Sequence, residues 1–212
     1  MSVIPRVYVV DDDDSVRDSL LELLTEAGFS CSTFGTAAEY LDAAPNEDLA
    51  CLVLDVMLPE LSGAQLQQRL IASEREVPIV FITGRGDLPT AVQLMKAGAL
   101  DVLTKPVDPV VLIEAVRVAL DRSAALARAR DARRNTEERF EALTPRDREV
   151  LSLVAQGLLN KQIGARLGIT ERTVKRHRTS IMARLGIKST AELVRSADQL
   201  QSATLSDQRQ LA

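Results

Sequence analysis

Five side chains spread over the first 105 residues could do chemistry together. Asp11 and Asp12 directly follow the apolar run RVYVV, Asp55 closes CLVLD, Thr83 closes IVFIT, and Lys105 follows DVLT. If these runs are parallel strands, all five side chains converge on one edge of a sheet. Carboxylates packed together repel one another, and a hard divalent cation with a preference for oxygen is the ordinary remedy. Mg2+ suits such a site because it keeps several of its waters. Lys105 supplies a fixed positive charge for a phosphoryl oxygen, and the Thr83 hydroxyl can donate to another. Together this is equipment for moving a phosphoryl group onto a carboxylate by positioning and charge neutralisation.

The elements that must position these residues can be read from periodicity. Strands are expected at 6–10, 31–34, 51–55, 79–83 and 101–104. Between them, 16–27, 36–43, 63–72 and 89–97 carry apolar residues at three- and four-residue steps, as helices do. Strands alternating with helices imply a parallel sheet wrapped by right-handed crossovers. Runs such as CLVL and VPIVFI are apolar throughout, as expected of strands covered on both faces. The expected fold class is therefore an α/β, doubly wound, five-stranded parallel sheet, with ligands bound beyond the carboxyl ends of its strands. Asp13 and Asp14 read as helix-start residues, where acids favour the dipole, and Asp87 and Asp101 as loop or cap residues.

Four pieces make a joint pattern: DD after the first strand, D-x-M-x-P-x-x-S-G from Asp55 to Gly63, Thr83-Gly84, and Lys105-Pro106. The pattern resembles the flavodoxin-like receiver domain of two-component response regulators, over about residues 4–120. The resemblance implies that Asp55 is the phosphoacceptor. It also implies that Asp12, Asp55 and the Met57 carbonyl bind Mg2+ directly, with Asp11 acting through a water. Thr83 and Lys105 would contact the acyl phosphate, and the Lys105-Pro106 bond would be cis. One position departs from the family: the aromatic usual three residues before the pocket lysine is Val102 here. A switch is then expected to work through the fourth helix and its preceding loop rather than through a swinging ring.

Charge divides the chain. Residues 1–120 hold 19 acidic and 8 basic side chains, a net of −11, whereas 121–212 hold 11 and 18, a net of +7. Two domains with different partners follow, the basic one suited to phosphates. The expected boundaries are a first domain at 1–121, an exposed helical linker at 122–140 and a second domain at 141–205. Aromatics make up 3% and Trp is absent, which argues against base stacking as a binding mode. No uncharged run is long enough to span a membrane, and no secretory signal is visible. Cys31 and Cys51 read as buried reduced thiols, so a cytoplasmic protein is expected.

The basic half reads as four short helices. Thr144-Pro145-Arg146-Asp147 offers an N-cap, a proline at the first helical position and an acid at the third. Asn160 is expected to cap a helix over 161–167, stopped by Gly168, and Thr170 to cap another over 171–185, stopped by Gly186. Ser189 to Glu192 reads as a capping box opening the fourth. The second and third of these fit a helix-turn-helix. In the third, Val174, Ile181 and Leu185 should face the core, leaving Arg172, Lys175, Arg176 and Thr179 to reach a DNA groove.

The runs LTPRDREVL, NKQI, LGITERTVK-x-H, IM-x-RLG and AELVR make this segment, about residues 141–197, similar to the LuxR/FixJ-type DNA-binding domain, here an all-α four-helix unit. That resemblance implies double-stranded DNA as a partner, with Asn160, Lys161, Arg172, Thr173, Lys175, Arg176, His177 and Thr179 as candidate contacts. The two resemblances together imply a transcriptional response regulator phosphorylated by a sensor histidine kinase. A homodimer of the phosphorylated form is expected, RNA polymerase is a candidate partner, and activation is favoured. An enzyme is not expected. A phosphohydrolase using Asp55 as nucleophile would need a second acid two positions on, where Met57 stands, and His177 is the sole histidine.

Overall fold

The computed structural model describes residues 5–43, 49–84, 88–189 and 192–193. Asp87, and most of the expected fourth helix of the basic half, lie outside the described residues. The chain divides into two compact units, residues 1–130 and 131–212.

Five parallel strands form the centre of the first unit: β1 (Arg6–Val10), β2 (Ser30–Phe34), β3 (Ala50–Asp55), β4 (Ile79–Thr83) and β5 (Asp101–Thr104). Between them run α1 (Asp14–Glu26), α2 (Ala37–Ala43), α3 (Gly63–Ala72) and α4 (Leu88–Lys96), and α5 (Pro109–Glu141) follows β5. The strand order is β2-β1-β3-β4-β5. Alternation along each strand sorts side chains between two cores. Val7, Val9, Cys51, Val53, Val80 and Ile82 join Leu20 and Leu24 of α1 and Leu112, Val116 and Ala119 of α5. Tyr8, Val10, Leu52, Leu54 and Phe81 face the other way, against Tyr40 of α2, Leu66 and Leu70 of α3 and Leu94 of α4. Both faces are covered, which is why these strands read as unbroken apolar runs.

The order reverses direction between β1 and β3, and in such sheets the crevice at that reversal is where ligands bind. Asp11 continues β1, and Asp55 ends β3. Asp13 caps α1, accepting from the backbone N–H groups of Ser15 and Val16. The Ser15 hydroxyl bond, followed by these backbone bonds, holds the Asp13 carboxyl below its ordinary range. Asp14 falls in the first turn of α1. Asp101 accepts from the N–H of Val102 at 2.8 Å.

In the segment 122–140, Ser123 and Phe140 are buried. The Ser123 hydroxyl accepts from the Ala50 N–H at 3.0 Å, tying α5 to the start of β3. Phe140 belongs to the core of the second unit, with Val150, Ile163, Val174, Ile181 and Leu185. That unit contains α6 (Pro145–Ala155), α7 (Asn160–Leu167) and α8 (Glu171–Leu185). Thr144 and Thr170 cap α6 and α8, and left-handed Gly168 and Gly186 end α7 and α8. Between α7 and α8 the chain turns so tightly that a Cβ on Gly164 would lie 2.7 Å from the Ile169 carbonyl oxygen. Gly164 therefore serves the close approach of that turn.

Asn160 does not cap α7. The cap is Leu159, which makes no side-chain cap bond, and α7 begins at Asn160 itself. Gln162 supplies half of a capping box, accepting from the Leu159 N–H at 2.8 Å, but the Leu159 side chain is 70% exposed. Leu159→Ser completes the box and should stabilise this unit by roughly 0.5–1.5 kcal/mol. An unchanged urea midpoint for the unit would show that the cap has no influence.

Candidate functional site

Asp11 and Asp55 share a cation. The Lys105 ammonium donates to Asp11 Oδ2 and to Asp55 Oδ2, each at 2.7 Å. Asp11 and Asp55 are 1% and 6% exposed. Two buried carboxylates this close need such a counter-charge. Partial burial works against the charged ammonium, but the hydrogen bonds to Asp11 and Asp55 and the charges of both outweigh it, and the Lys105 pKa is raised. The Lys105-Pro106 peptide is cis.

Asp12 completes a triad: one carboxylate oxygen each of Asp11, Asp12 and Asp55 lies within 4.8 Å of the others. Asp12 is solvent-exposed, and among the described residues no hydrogen bond holds its carboxylate. An open all-oxygen donor set of this kind fits a hard divalent cation. Met57 follows two residues after Asp55, its N–H donating to Asp55 Oδ1 at 3.1 Å. Its side chain is 74% exposed. Thr83 is the last residue of β4, one beyond Ile82, the register partner of Asp55. The Thr83 carbonyl accepts from the Lys105 N–H at 2.7 Å, tying the ends of β4 and β5.

Local sequence explains how Asp55 is presented. Ser62 and Gln65 form a capping box that starts α3. The Gly63 N–H donates to the Val56 carbonyl at 3.1 Å, and a Cβ on Gly63 would fall 2.3 Å from the Asp55 carbonyl oxygen. Only glycine lets α3 start so close to the strand. Glu60 in the same loop holds φ at 62°, a left-handed conformation that strains a non-glycine residue.

In the second unit, α8 turns a basic face outward. At 100° per residue, Arg172, Lys175, Arg176 and Thr179 fall within one third of the helix circumference. All four are exposed, opposite buried Val174, Ile181 and Leu185. Lys161 on α7 is also exposed. Three other candidates are engaged within the protein. The Thr173 hydroxyl pairs with that of Thr170 at 2.8 Å in the cap of α8, and Asn160 Oδ1 accepts from Arg178 Nη1 at 2.8 Å. His177 Nδ1 lies 2.7 Å from Asp147 Oδ1, and Asp147 is 3% exposed. The Thr144 hydroxyl donates to the other Asp147 oxygen at 2.8 Å. Periodicity finds exposed faces and so misses this inward contact. The Arg17 guanidinium donates to the Asp11 carbonyl at 2.7 Å, a contact that nothing in the sequence spacing marks.

Neither cysteine forms a disulfide. Burial pushes the Cys31 thiol up to about 11 and raises that of Cys51 as well, so both stay protonated and unreactive. No helix among the described residues is long and apolar enough to cross a membrane.

Known proteins carry the same two parts. Residues 7–117 match the response regulator receiver domain, and 141–197 match the luxR family of bacterial regulatory proteins. The transcriptional regulatory protein FixJ of Azorhizobium caulinodans is 43% identical over 191 residues, covering 90% of each chain. Among solved structures, the response regulator StyR superposes with a TM-score of 0.80 at 44% identity, over 92% of this chain and 99% of its own. Full-length FixJ from B. japonicum gives 0.57 at 37% identity, over 92% and 97%. With an acidic cleft at the carboxyl edge of the sheet in its first unit and a basic helix-turn-helix in its second, the chain belongs to the FixJ/LuxR-type response regulators, the two-component regulators of transcription.

Proposed function

We propose that Asp55 accepts a phosphoryl group from the phosphohistidine of a sensor histidine kinase, or from a small phosphodonor, and that this controls DNA binding by α8. The phosphorus–nitrogen bond of phosphohistidine, or the phosphorus–oxygen bond of an acyl phosphate donor, breaks as a phosphorus–oxygen bond to the Asp55 carboxylate forms, and imidazole or a carboxylate leaves. The observation that carries the reading is the Lys105 ammonium shared between Asp11 and Asp55 at 2.7 Å each. It provides a positive charge already aimed at the acceptor carboxylate. Asp11, Asp12, Asp55 and the Met57 carbonyl would hold Mg2+, with Asp11 acting through a water. When bound, the ion offsets charge on the phosphoryl oxygens. Lys105 then follows a phosphoryl oxygen, and the Thr83 hydroxyl donates to another.

With Val102 in place of the usual aromatic, the signal passes from Thr83 through the segment up to α4. Phosphorylation drives homodimerisation of the receiver, residues 1–121, and pairs two DNA-binding units, residues 141–205, through the helical stretch between them. Two linked units hold adjacent half-sites more tightly than one, through effective concentration. Arg172, Lys175, Arg176, Thr179 and Lys161 meet the DNA directly, with Asn160, Thr173 and His177 supporting them from the edges of that surface. The regulator acts in the cytoplasm and favours activation, with RNA polymerase as its further partner.

Beryllofluoride, a phosphoryl mimic, tests the switch: oligomer mass and affinity for promoter DNA should rise together when it is added. If neither changes, the proposed control is wrong. Lys175→Ala and Arg176→Ala should each weaken DNA binding by roughly 1–3 kcal/mol if they read a base, or flatten the salt dependence by about one phosphate if they do not. Full affinity and an unchanged salt slope in both variants would move the recognition surface off α8.

A further inference from the structure

The geometry points to Arg17 as the positioning residue of the cation pocket, an inference that rests on the phosphoacceptor reading above. Arg17 stands in the first turns of α1, and its side chain is only 18% exposed. Its Nη1 donates to the backbone carbonyl of Asp11 at 2.7 Å, and its Nη2 pairs with the Asp14 carboxylate. The guanidinium also lies 3.5 Å from where a Cβ would stand on Gly35, whose N–H is held by Glu39 Oε2 at 2.8 Å. It thus reaches from α1 across the Asp11 carbonyl to the β2–α2 connection.

The carbonyl that Arg17 holds belongs to the peptide joining Asp11 to Asp12. Asp11 is fixed at every other polar group. Its N–H donates to the Phe34 carbonyl at 3.2 Å, its Oδ1 accepts from the Asp13 N–H at 3.0 Å, and its Oδ2 accepts from Lys105. Asp12 has no such support, since among the described residues its carboxylate has no hydrogen bond. The backbone alone keeps that carboxylate within the 4.8 Å triad. Turning the Asp11–Asp12 peptide plane would swing it away, and Arg17 restrains that turn.

Charge acts in the opposite direction. A guanidinium near the cleft repels a divalent cation, so removing its charge alone would tighten Mg2+ binding. The two effects have opposite signs, and one titration separates them. Lysine keeps the charge but lacks the planar fork that can serve the Asp11 carbonyl and Asp14 together.

The full-length chain is titrated with Mg2+ by calorimetry, without phosphodonor, as wild type, Arg17→Lys and Arg17→Gln. Positioning predicts that Arg17→Lys binds Mg2+ about tenfold more weakly, the range for partners that orient metal ligands, and that Arg17→Gln is also weakened, by a smaller factor because its lost charge acts the other way. In phosphorylation from acetyl phosphate, half-saturating Mg2+ should rise by the same factor, while the rate at saturating Mg2+ is retained. Tighter binding in Arg17→Gln together with wild-type binding in Arg17→Lys would reduce Arg17 to a through-space charge and overturn the inference. Wild-type affinity in both variants overturns it too. If Arg17→Gln does not fold, Arg17→Lys alone decides, because only positioning weakens binding at constant charge. A wild-type chain that binds Mg2+ yet takes up no phosphoryl group would instead sink the phosphoacceptor reading, leaving the calorimetric comparison to judge Arg17.

Discussion

The Asp55→Asn chain should take up no phosphoryl group from acetyl phosphate or from a kinase, and its DNA affinity should no longer respond to either. An amide is not a nucleophile at this centre, and no neighbouring acid is placed to substitute. The Asp11 carboxylate is 1% exposed, with one oxygen on the Asp13 N–H and the other on Lys105. Asp12 is accessible but forms no bond with Lys105. The fold should survive, because an Asn oxygen still accepts from the Met57 N–H, as Asp55 Oδ1 does at 3.1 Å. Lys105 keeps its bond to Asp11. Asn also removes one of two buried negative charges competing for that ammonium, so stability should change little in either direction. Intact mass after incubation with phosphodonor reads the result directly, since the wild type gains one phosphoryl group and the variant gains none. Basal DNA binding, measured without donor, should match wild type. A variant phosphorylated to wild-type extent would place the acceptor on another side chain. A variant that is unlabelled but still responds to donor would separate the switch from Asp55.

Much of this pocket was legible in the sequence because strand ends are easy to locate. Unbroken apolar runs mark β1, β3 and β4, and the next polar residue in each case is a candidate site residue: Asp11, Asp55 or Thr83. A parallel sheet then forces those ends to one edge, so residues nearly a hundred positions apart converge without any contact being known. Asp13 and Asp14 behaved as local chemistry requires, one capping α1 and the other in its first turn. Side-chain commitments across elements were not legible. Asn160 has the right type to cap α7, yet Arg178, one α8 residue among many arginines, takes its oxygen. His177 sits in a dense basic run, and nothing in that run marks its contact with Asp147. Its place on the wheel beside Val174 and Ile181, together with a buried acid thirty residues earlier, turns it inward. Arg17 is an ordinary helical arginine until the β1–α1 connection is folded beneath it.

Breaking the contact between His177 and Asp147 should strongly destabilise the DNA-binding unit, and the order of the variants tests why. Burial by itself raises the pKa of Asp147, but the His177 and Thr144 hydrogen bonds and the charge of His177 outweigh it and hold the carboxyl below its ordinary range. His177→Ala strands that carboxylate with Thr144 alone, at a cost of about 3 kcal/mol, the low end for an uncompensated buried charge. Asp147→Asn keeps a neutral acceptor and should cost only about 1 kcal/mol. Added to His177→Ala, however, Asp147→Asn should restore stability, because it removes the stranded charge. Hydrogen exchange of α6 and α8 amides in the intact chain measures this unit separately from the receiver. If Asp147→Asn costs the same with or without His177, the two residues are not coupled. The pH dependence has a definite sign. A carboxylate whose folded pKa lies below its unfolded value, about 3.9, contributes stability that is fully present above that value. The contribution is lost as pH falls through the folded pKa. The gap between wild type and Asp147→Asn should therefore close in the acid range below about pH 4. A gap that widens on acidification would mean that Asp147 is protonated in the native protein. This contact ties α8 to α6, so loosening it should also shift the exposed face of Arg172, Lys175, Arg176 and Thr179. His177→Ala should consequently lose DNA affinity even under conditions where the unit remains folded.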